Sequence, residues 1–525
     1  MHTPVVTVIR KQKRDTARDR ESRFIIMARG AKKQQAPTLV LERAPHRADS
    51  RVSSRRRAKR RSTALWLGIQ GAIAVSAIVG IANSTLPSRE LHVPDHMLQT
   101  AFFEEELLSP KAAQELFALI KRMKEFPTNI NDVQFYKTRH EHIGEAMALT
   151  PNESCADPLF VPNSDRTLCV LPGRIDVGRH YILTGGLDGS REPFDWLVSR
   201  VQSFGRYMFD LAQYPEAAAL FDDPRFIKLA RQVCPADKQH LDPFQFNFIL
   251  QVPGQTVAAH IDGAYFWGAT RFQYPQWLLA AMVFSGRFAE RFVDQVQVVA
   301  YLHEWAPSSR TSGGDGKFVH WANGSAPSIR SPLPRAGSAI DGSKSVHAAE
   351  VYLGSPSSPP LPLLDKNRAN VLSFEGPSDT AGWVLRADSS EVLQRYNTDD
   401  LRVSIVYRAR CFASASEAAH FGGDGGPAEQ RLGLEDILHT LADEMVERGK
   451  ISSVQEAMKL DRRALAIKII DNFIKYPLPP VDRAPLMPYN YCALPRLLQG
   501  SLQTVVTMIL KPLCMDPPAT AAATS

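Results

Sequence analysis

The chain has 525 residues, of which 44% are hydrophobic and 22% charged, values typical of a globular protein that is long enough for more than one domain. The net charge of +7 is unevenly distributed: residues 1–62 hold 19 Lys and Arg against 5 Asp and Glu, and the rest holds 43 against 50. Few aromatic residues are interleaved with the basic ones, and no nucleic-acid-binding motif is visible. We therefore predict a basic, disordered arm over residues 1–62 and do not expect a nucleic acid as partner.

An apolar segment follows this arm. Residues 64–82 carry no charge, and as a helix they would reach about 28 Å, close to the hydrocarbon thickness of a bilayer. The basic run over residues 55–61 predicts a cytosolic N-terminus and a translocated body. We predict a transmembrane signal anchor over residues 63–83 and a lumenal body in the endoplasmic reticulum or Golgi. A buried soluble helix, or a plastid or mitochondrial targeting arm, is the alternative.

The cysteines and the glycosylation sequons fit a lumenal body. All six cysteines follow the apolar segment, and an even number permits disulfides. Cys155 and Cys169 would close a short loop, although the sequence leaves the full connectivity open. No CxxC spacing exists, which argues against a zinc or redox motif. Asn152 and Asn323 begin sequons in Pro-, Gly- and Ser-rich surroundings.

The region over residues 84–239 is predicted to be mainly helical. Apolar residues recur at helical spacing over Lys111–Phe126, and Pro127 ends this helix. Phe194–Leu220 predicts two further helices.

Strand-like runs dominate the next region, residues 240–415, and turn-rich stretches separate them. These runs are Phe244–Val252, Trp277–Phe284, Val296–Leu302, Asn370–Phe374 and Leu401–Phe412.

The pattern changes again after a glycine-rich break at residues 422–427, and residues 427–525 are predicted to form a helical C-terminal region. Its amphipathic helices are predicted over Leu434–Arg448, Ser453–Tyr476 and Leu494–Leu510. Residues 502–510 are too few to span a membrane, so we expect them to form a packed helix.

Two short motifs could together hold one metal ion. The first, PGQTVAAHID, ends in His260 and Asp262, whose side chains share one face of an extended strand. The second, PRAGSAIDGSKSVH, ends in His347, which a later strand could bring to the same ion. Two imidazoles and one carboxylate, with other positions open, suit a non-haem Fe(II) oxygenase. His303 and His320 are rival ligands, but their aromatic and aliphatic neighbours favour core histidines.

These motifs, followed by an Arg-x-Ser strand, resemble the 2-oxoglutarate/Fe(II)-dependent dioxygenase superfamily, and in particular its prolyl-hydroxylase-like members. The resemblance covers about residues 240–412. It implies a double-stranded β-helix, or jelly roll, over residues 240–415. The predicted fold class is therefore α+β, with a jelly-roll core, helical regions on both sides and a single N-terminal transmembrane helix.

Carried over position by position, the resemblance implies that His260, Asp262 and His347 bind Fe(II). Arg402 and Ser404 match the residues that bind the far carboxylate of 2-oxoglutarate, the co-substrate. Ascorbate is a further cofactor that the resemblance allows. The implied reaction consumes O2 and 2-oxoglutarate, releases succinate and CO2, and hydroxylates a C–H bond of a substrate that the sequence does not identify.

Alternation along the last predicted strand supports the co-substrate residues independently. It places Arg402 and Ser404 on one face, where a guanidinium can bind a carboxylate through two parallel hydrogen bonds. The alternative is a solvated Arg402 on the outer face of an ordinary strand. Arg402 follows His347 by 55 residues, a long gap that an insertion over about residues 353–399 would explain.

Two further points limit the functional prediction. Val252 and Val257 stand where the prolyl-hydroxylase pattern usually carries tyrosines, which weakens an inference to proline as substrate. The alternative function is a catalytically inactive jelly roll that serves as a membrane-tethered binding or scaffold protein.

Overall fold

The computed structural model describes residues 93–128 and 146–514, apart from short gaps at 158, 164–166, 173, 323–325, 377–381, 389, 424, 478–489 and 499. The predicted basic arm, the predicted signal anchor and the sequon at Asn323 lie outside the described residues. Within the described ranges, no helix has both the length and the apolar character needed to cross a bilayer.

The described chain combines helices with antiparallel strands, as the predicted fold class requires. The helices are α1 Pro110–Met123, α2 Ile175–Thr184, α3 Phe194–Val201, α4 Pro215–Phe221, α5 Pro224–Arg231, α6 Gln276–Ser285, α7 Ala415–Phe421, α8 Leu434–Glu447, α9 Val454–Met458, α10 Arg462–Phe473 and α11 Gly500–Leu510. The strands are β1 Phe102–Glu104, β2 Glu125–Pro127, β3 Met147–Ala148, β4 Val161–Pro162, β5 Leu168–Val170, β6 Phe204–Met208, β7 His240–Gln251, β8 Val257–His260, β9 Tyr265–Phe266, β10 Phe292–Val293, β11 Gln295–Tyr301, β12 Phe318–His320, β13 Ser328–Arg330, β14 Gly337–Ile340, β15 His347–Ala349, β16 Asn370–Glu375, β17 Gly382–Ala387, β18 Glu391–Tyr396 and β19 Arg402–Phe412.

Two antiparallel sheets enclose the central cavity. The larger sheet has the strand order β1-β14-β11-β19-β7-β6, and the smaller one has the order β13-β12-β15-β8. Side chains from both sheets line the same cavity, which places it between them. On its other face the larger sheet packs with α1, α4 and α5, and the smaller sheet packs with α6, α8 and α10.

The alternation predicted for β19 is present. Val403, Ile405 and Tyr407 are buried in the core shared with α4 and α5. Arg402 and Ser404 face the cavity between the sheets, and they are only 5% and 3% exposed. The alternative of a solvated arginine at this position is therefore wrong.

The chain between β15 and β19 forms a sheet of its own. Strands β16, β17 and β18 join β2 in the order β18-β17-β16-β2. His347 in β15 and Arg402 in β19 belong to the two sheets around the cavity. The 55 residues between them are accounted for because this stretch contains β16, β17 and β18 of the separate sheet.

Two predicted elements have the wrong type. Trp277–Phe284 was predicted as a strand but lies within α6, whose residues are buried from Trp277 to Ser285. A short run that is apolar on every face has no periodicity to distinguish helix from strand. Residues 204–208 were predicted to be helical but form β6, which pairs with β7. Pairing with a distant strand here overrides the local helical pattern.

Other predicted helices have different ends. The first ends at Met123, because Lys124 adopts a positive φ of 62°, and Phe126 belongs to β2. The helix predicted over 453–476 is divided into α9 and α10, with the Asp461 side chain capping α10. The expectation of a packed helix at 502–510 is wrong for most of α11: its apolar residues Leu502 and Met508 are 54% and 65% exposed.

Three disulfides join the six cysteines, and none is free. The pair Cys155–Cys169, which the sequence suggested, is formed. The other two pairs are Cys234–Cys411 and Cys492–Cys514. Cys411 lies in β19, so the second disulfide joins the larger sheet to the segment that follows α5.

Candidate metal centre and co-substrate cavity

The register between two strands of the smaller sheet brings the two histidines together. His347 in β15 lies directly opposite His260 in β8. Directly opposed residues on antiparallel strands project to the same face, and the two ring centroids are 4.2 Å apart. Asp262 follows β8 and joins the same group, whose possible ligand atoms all lie within 4.8 Å of one another.

The outer ring nitrogens of both histidines point to the carboxylate. Nε2 of His260 lies 3.8 Å from Oδ1 of Asp262, and Nε2 of His347 lies 3.9 Å from Oδ2. Each Nδ1 contacts a backbone carbonyl, that of Ala258 at 2.7 Å and that of Ser345 at 2.9 Å. A carbonyl can only accept, so each Nδ1 donates a proton and each Nε2 keeps a lone pair for a metal.

Asp262 is a buried anion beside a cation. Its Oδ2 is buried and has no hydrogen-bond partner among the described residues, while Nε of Arg408 lies 3.7 Å from it. Burial alone would raise the pKa of Asp262, but the guanidinium of Arg408, and more weakly that of Arg174, hold it well below its usual value. Arg408 is fixed in turn, because its Nη2 donates to the carbonyl of Gly263 and to Oε1 of Gln295, each at 3.1 Å.

The two imidazoles are neutral at physiological pH. Burial lowers the pKa of His260 well below its usual value, and the charge of Arg174 lowers it further. Burial is also the main cause of the lowered pKa of His347. Two neutral imidazoles and one ionised carboxylate with an unpartnered oxygen form a donor set that fits a divalent cation with positions left open.

The turn before β15 leaves space for the carboxylate only because residue 342 is glycine. The backbone N–H of Asp262 donates to the Gly342 carbonyl at 2.7 Å. A Cβ at position 342 would lie 2.3 Å from Oδ2 of Asp262 and 3.2 Å from Cε1 of His347. The glycine therefore allows the turn to pass directly behind two of the three predicted ligands.

The predicted co-substrate residues line the same cavity, which has a volume of about 270 Å³. Nη1 of Arg402 donates to Oε1 of Gln251, while its Nε is buried and has no partner among the described residues. The guanidinium lies 5.2 Å from the ring centroid of Tyr301. Ser404 lies opposite Tyr301 in the sheet and lines the cavity. The structure thus brings all five sequence-predicted site residues to one cavity.

The rival histidines lie outside the metal group. His303 stacks on Trp305 with 3.7 Å between ring centroids, and its Nε2 contacts the Pro332 carbonyl at 2.9 Å, so it is a core histidine. His320 lies opposite His347 in the smaller sheet but packs against Phe318 and is not part of the ligand cluster.

The sequence analysis did not assign a role to three residues beside the predicted ligands. Arg408 shares the strand face of Arg402 by the period of two, a signal that could have identified it. Nε2 of Gln297 lies 3.2 Å from Nε2 of His347, so this amide borders the metal position. Arg174 lines the cavity, and its charge acts on all three ligands. It lies just before α2, outside any periodic pattern, so the sequence does not show which way its side chain points.

No protein-family model and no curated protein matches this chain. Among solved structures, a prolyl-4-hydroxylase from Pseudomonas putida matches at 10% identity and a TM-score of 0.22, with 61% of this chain and 96% of that chain covered. A prolyl hydroxylase from Trichoplax adhaerens, in complex with a hypoxia-inducible-factor peptide fragment, matches at 9% identity and a TM-score of 0.26 (66% and 93% covered). HygX from Streptomyces hygroscopicus, with nickel, 2-oxoglutarate and hygromycin B bound, matches at 8% identity and a TM-score of 0.26 (60% and 83% covered). TM-scores this low carry no argument about function.

Replacing Gly342 by alanine tests whether this turn shapes a metal site. The new methyl group would displace the Asp262 carboxylate, so we expect the affinity for Fe(II) or Mn(II) to fall by about tenfold or more. Gly423→Ala is the matched control, because a Cβ at residue 423 meets nothing within 4 Å. Calorimetric metal titration and the melting temperature of both variants provide the measurement. Equal metal affinity in the two variants would contradict a metal site beside Gly342.

Proposed function

We propose that this chain is a 2-oxoglutarate- and Fe(II)-dependent dioxygenase that hydroxylates a C–H bond, and that its two facing sheets form a double-stranded β-helix. One observation carries the proposal. His260, Asp262 and His347 converge on a buried cavity whose wall also holds Arg402 and Ser404. A metal-ligand triad and a carboxylate-binding pair in one small cavity are the two requirements of this chemistry.

The metal would be held by the three ligands of the triad, and Fe(II) with 2-oxoglutarate would supply the oxidising power for O2-dependent hydroxylation. The protein's own residues prepare the site. The carbonyls of Ala258 and Ser345 fix the two imidazole tautomers. Arg408 keeps the Asp262 carboxylate ionised despite its burial. The side chains of His260, His347 and Arg402 are buried, and burial strengthens the charge interactions that they make.

Arg402 would bind the far carboxylate of 2-oxoglutarate. It lies in β19 on the same strand face as Ser404, and both side chains line the cavity that the three metal ligands also line. Two other candidate anchors have partners already. Arg368 forms ion pairs with Asp388 and Glu391, and Arg408 contacts Asp262. Ser404 adds a hydroxyl two residues further along the same face.

The triad is tested by single alanine variants. His260→Ala, Asp262→Ala and His347→Ala should each abolish iron-dependent conversion of 2-oxoglutarate to succinate, because each removes one of three metal ligands. The fold should persist, since an open catalytic site contributes less to stability than a closed structural one. His320→Ala is the matched control and should keep turnover. Full turnover in any triad variant would refute the assignment. A wild-type protein that binds no Fe(II) and converts no 2-oxoglutarate would instead be the catalytically inactive scaffold.

Arg402→Ala should weaken 2-oxoglutarate binding while leaving iron affinity nearly unchanged, because the ligands lie on other strands. Hydrogen bonds to charged groups contribute about 1.5–3 kcal/mol each, so the apparent affinity should fall about 10- to 100-fold. Arg402→Lys should recover part of it, because an ammonium keeps the charge but loses the fork. The measurement is a 2-oxoglutarate titration at saturating Fe(II), with Arg368→Ala as control. An unchanged affinity for 2-oxoglutarate in Arg402→Ala would show that another residue of the cavity binds its far carboxylate.

We also propose that the enzyme is a single-pass membrane protein whose body lies in the lumen of the secretory pathway, and ER or Golgi residence fits this topology. Three formed disulfides and the absence of a free cysteine support an oxidising compartment. The anchoring segment at residues 64–82 rests on the sequence alone. Asn152, the one sequon asparagine among the described residues, is exposed in a turn.

Topology is tested by glycosylation and membrane release. Glycosidase treatment should increase the gel mobility of protein made in its native secretory pathway, and Asn152→Gln should reduce that shift, with Asn323→Gln reporting on the second sequon. Deletion of residues 64–82 should release the body from membranes. A mature chain that begins beyond residue 84 and resides in a plastid or mitochondrion would refute the proposed topology.

A further inference from the structure

One cationic side chain of the cavity, that of Arg174, has no role in the proposed reaction. Arg174 immediately precedes α2 and lines the cavity beside the triad. No hydrogen bond or ion pair joins its guanidinium to another described residue. The nearby carboxylate of Asp176 accepts a hydrogen bond from the Tyr476 hydroxyl at 2.6 Å and does not line the cavity. Arg179, the arginine within α2, forms an ion pair with Asp471.

Charge balance in the proposed enzyme leaves Arg174 uncompensated. Fe(II), Arg402 and Arg408 would together carry four positive charges, and Asp262 with the 2-oxoglutarate dianion would carry three negative ones, so this set holds no surplus negative charge for Arg174. Lys366 also lines the cavity, but its ammonium donates to the Phe160 carbonyl, and burial lowers its pKa to about 8. The guanidinium of Arg174 therefore remains available for a further ligand. The guanidinium of Arg174 is half-buried, and its two parallel N–H donors match the two oxygens of a carboxylate.

The wall around Arg174 is apolar. It is formed by side chains of β4, β5 and α2 together with the segments next to them: Leu159, Val161, Val170, Leu171, Ile175 and Ile182. The volume of about 270 Å³ must also accommodate 2-oxoglutarate, so the remaining space suits only a short aliphatic group. The second ligand would thus combine an apolar body with a single negative charge.

We propose that Arg174 binds the substrate, and that the substrate presents a short aliphatic chain ending in a carboxylate, either as a free acid or as an acidic side chain of a peptide. This inference rests on the proposed dioxygenase function and specifies its substrate class. Arg174 would hold the carboxylate while the aliphatic part lies towards the metal triad. The reacting C–H bond would then belong to the aliphatic part of the substrate, next to the carboxylate that Arg174 binds.

The test uses the Fe(II)–2-oxoglutarate form of the full chain without oxygen. Calorimetric titrations with hexanoate and with an end-blocked tripeptide centred on glutamate distinguish the two sources of the carboxylate. Hexanamide, which has no charge, is the control ligand. At least one acid should bind the wild type, and Arg174→Gln should weaken that binding about 10- to 100-fold. Arg174→Lys should restore part of it, and the surface variant Arg225→Gln should behave as the wild type.

Failure of this inference is distinguishable from failure of the proposed function, because Fe(II) and 2-oxoglutarate binding are measured separately on the same variants. Equal acid affinity in Arg174→Gln and wild type, no acid binding by the wild type, or equal binding of hexanamide and hexanoate would overturn the substrate assignment. Loss of 2-oxoglutarate affinity in Arg174→Gln would overturn it too, because Arg174 would then hold the co-substrate. If Arg174→Gln does not fold, Arg174→Lys supplies the comparison. A wild type without 2-oxoglutarate binding would refute the dioxygenase itself.

Discussion

The candidate metal centre depends on the register between β8 and β15, two short strands that place His260 opposite His347. A slip of one residue would turn every side chain of one strand to the opposite face. The apolar residues next to the two histidines oppose such a slip, because Ala259 and Ala348 are buried in the core formed with α6, α8 and α10. The hydroxyl of Thr256 adds a hydrogen bond to the Ala349 carbonyl at 2.7 Å. The histidines therefore face the cavity because the residues beside them are held in the core.

The charges of the site depend on one another in the same way. A buried carboxylate without partners would take up a proton rather than remain ionised. Arg408 prevents this at Asp262, and its own side chain is held by the Gly263 carbonyl and by Gln295. The cavity thus presents an anionic ligand to a metal while its other cations, Arg174 and Arg402, stay available for anions. In the proposed enzyme, these separate positions for the two kinds of charge would allow a dication and a dianion to occupy one small space.

Much of the candidate site could be predicted because its residues lie in strands or, for Asp262, just after one. The period of two places His260 with Asp262, and Arg402 with Ser404, on common faces, and no knowledge of the partner strands is needed for that. The fold was harder to predict where a contact with a residue distant in sequence determines the local structure. β6 has a helical local pattern and becomes a strand through pairing with β7. α6 is apolar on every side, so its pattern does not distinguish a helix from a strand. Arg174 could not be assigned a role for the same reason, since its position depends on how α2 packs against β8.

The disulfide between Cys234 and Cys411 has a consequence for the order of events during biosynthesis. The two cysteines are separated by 177 residues. At about 5–20 residues per second, a ribosome needs about 9–35 s to make that stretch. Cys155 and Cys169 can pair long before, whereas Cys234 has no native partner until β19, which also carries Arg402, has been translated. A nascent chain in an oxidising lumen would therefore be open to mispairing throughout this interval, and a disulfide isomerase would act on the same strand that completes the cavity.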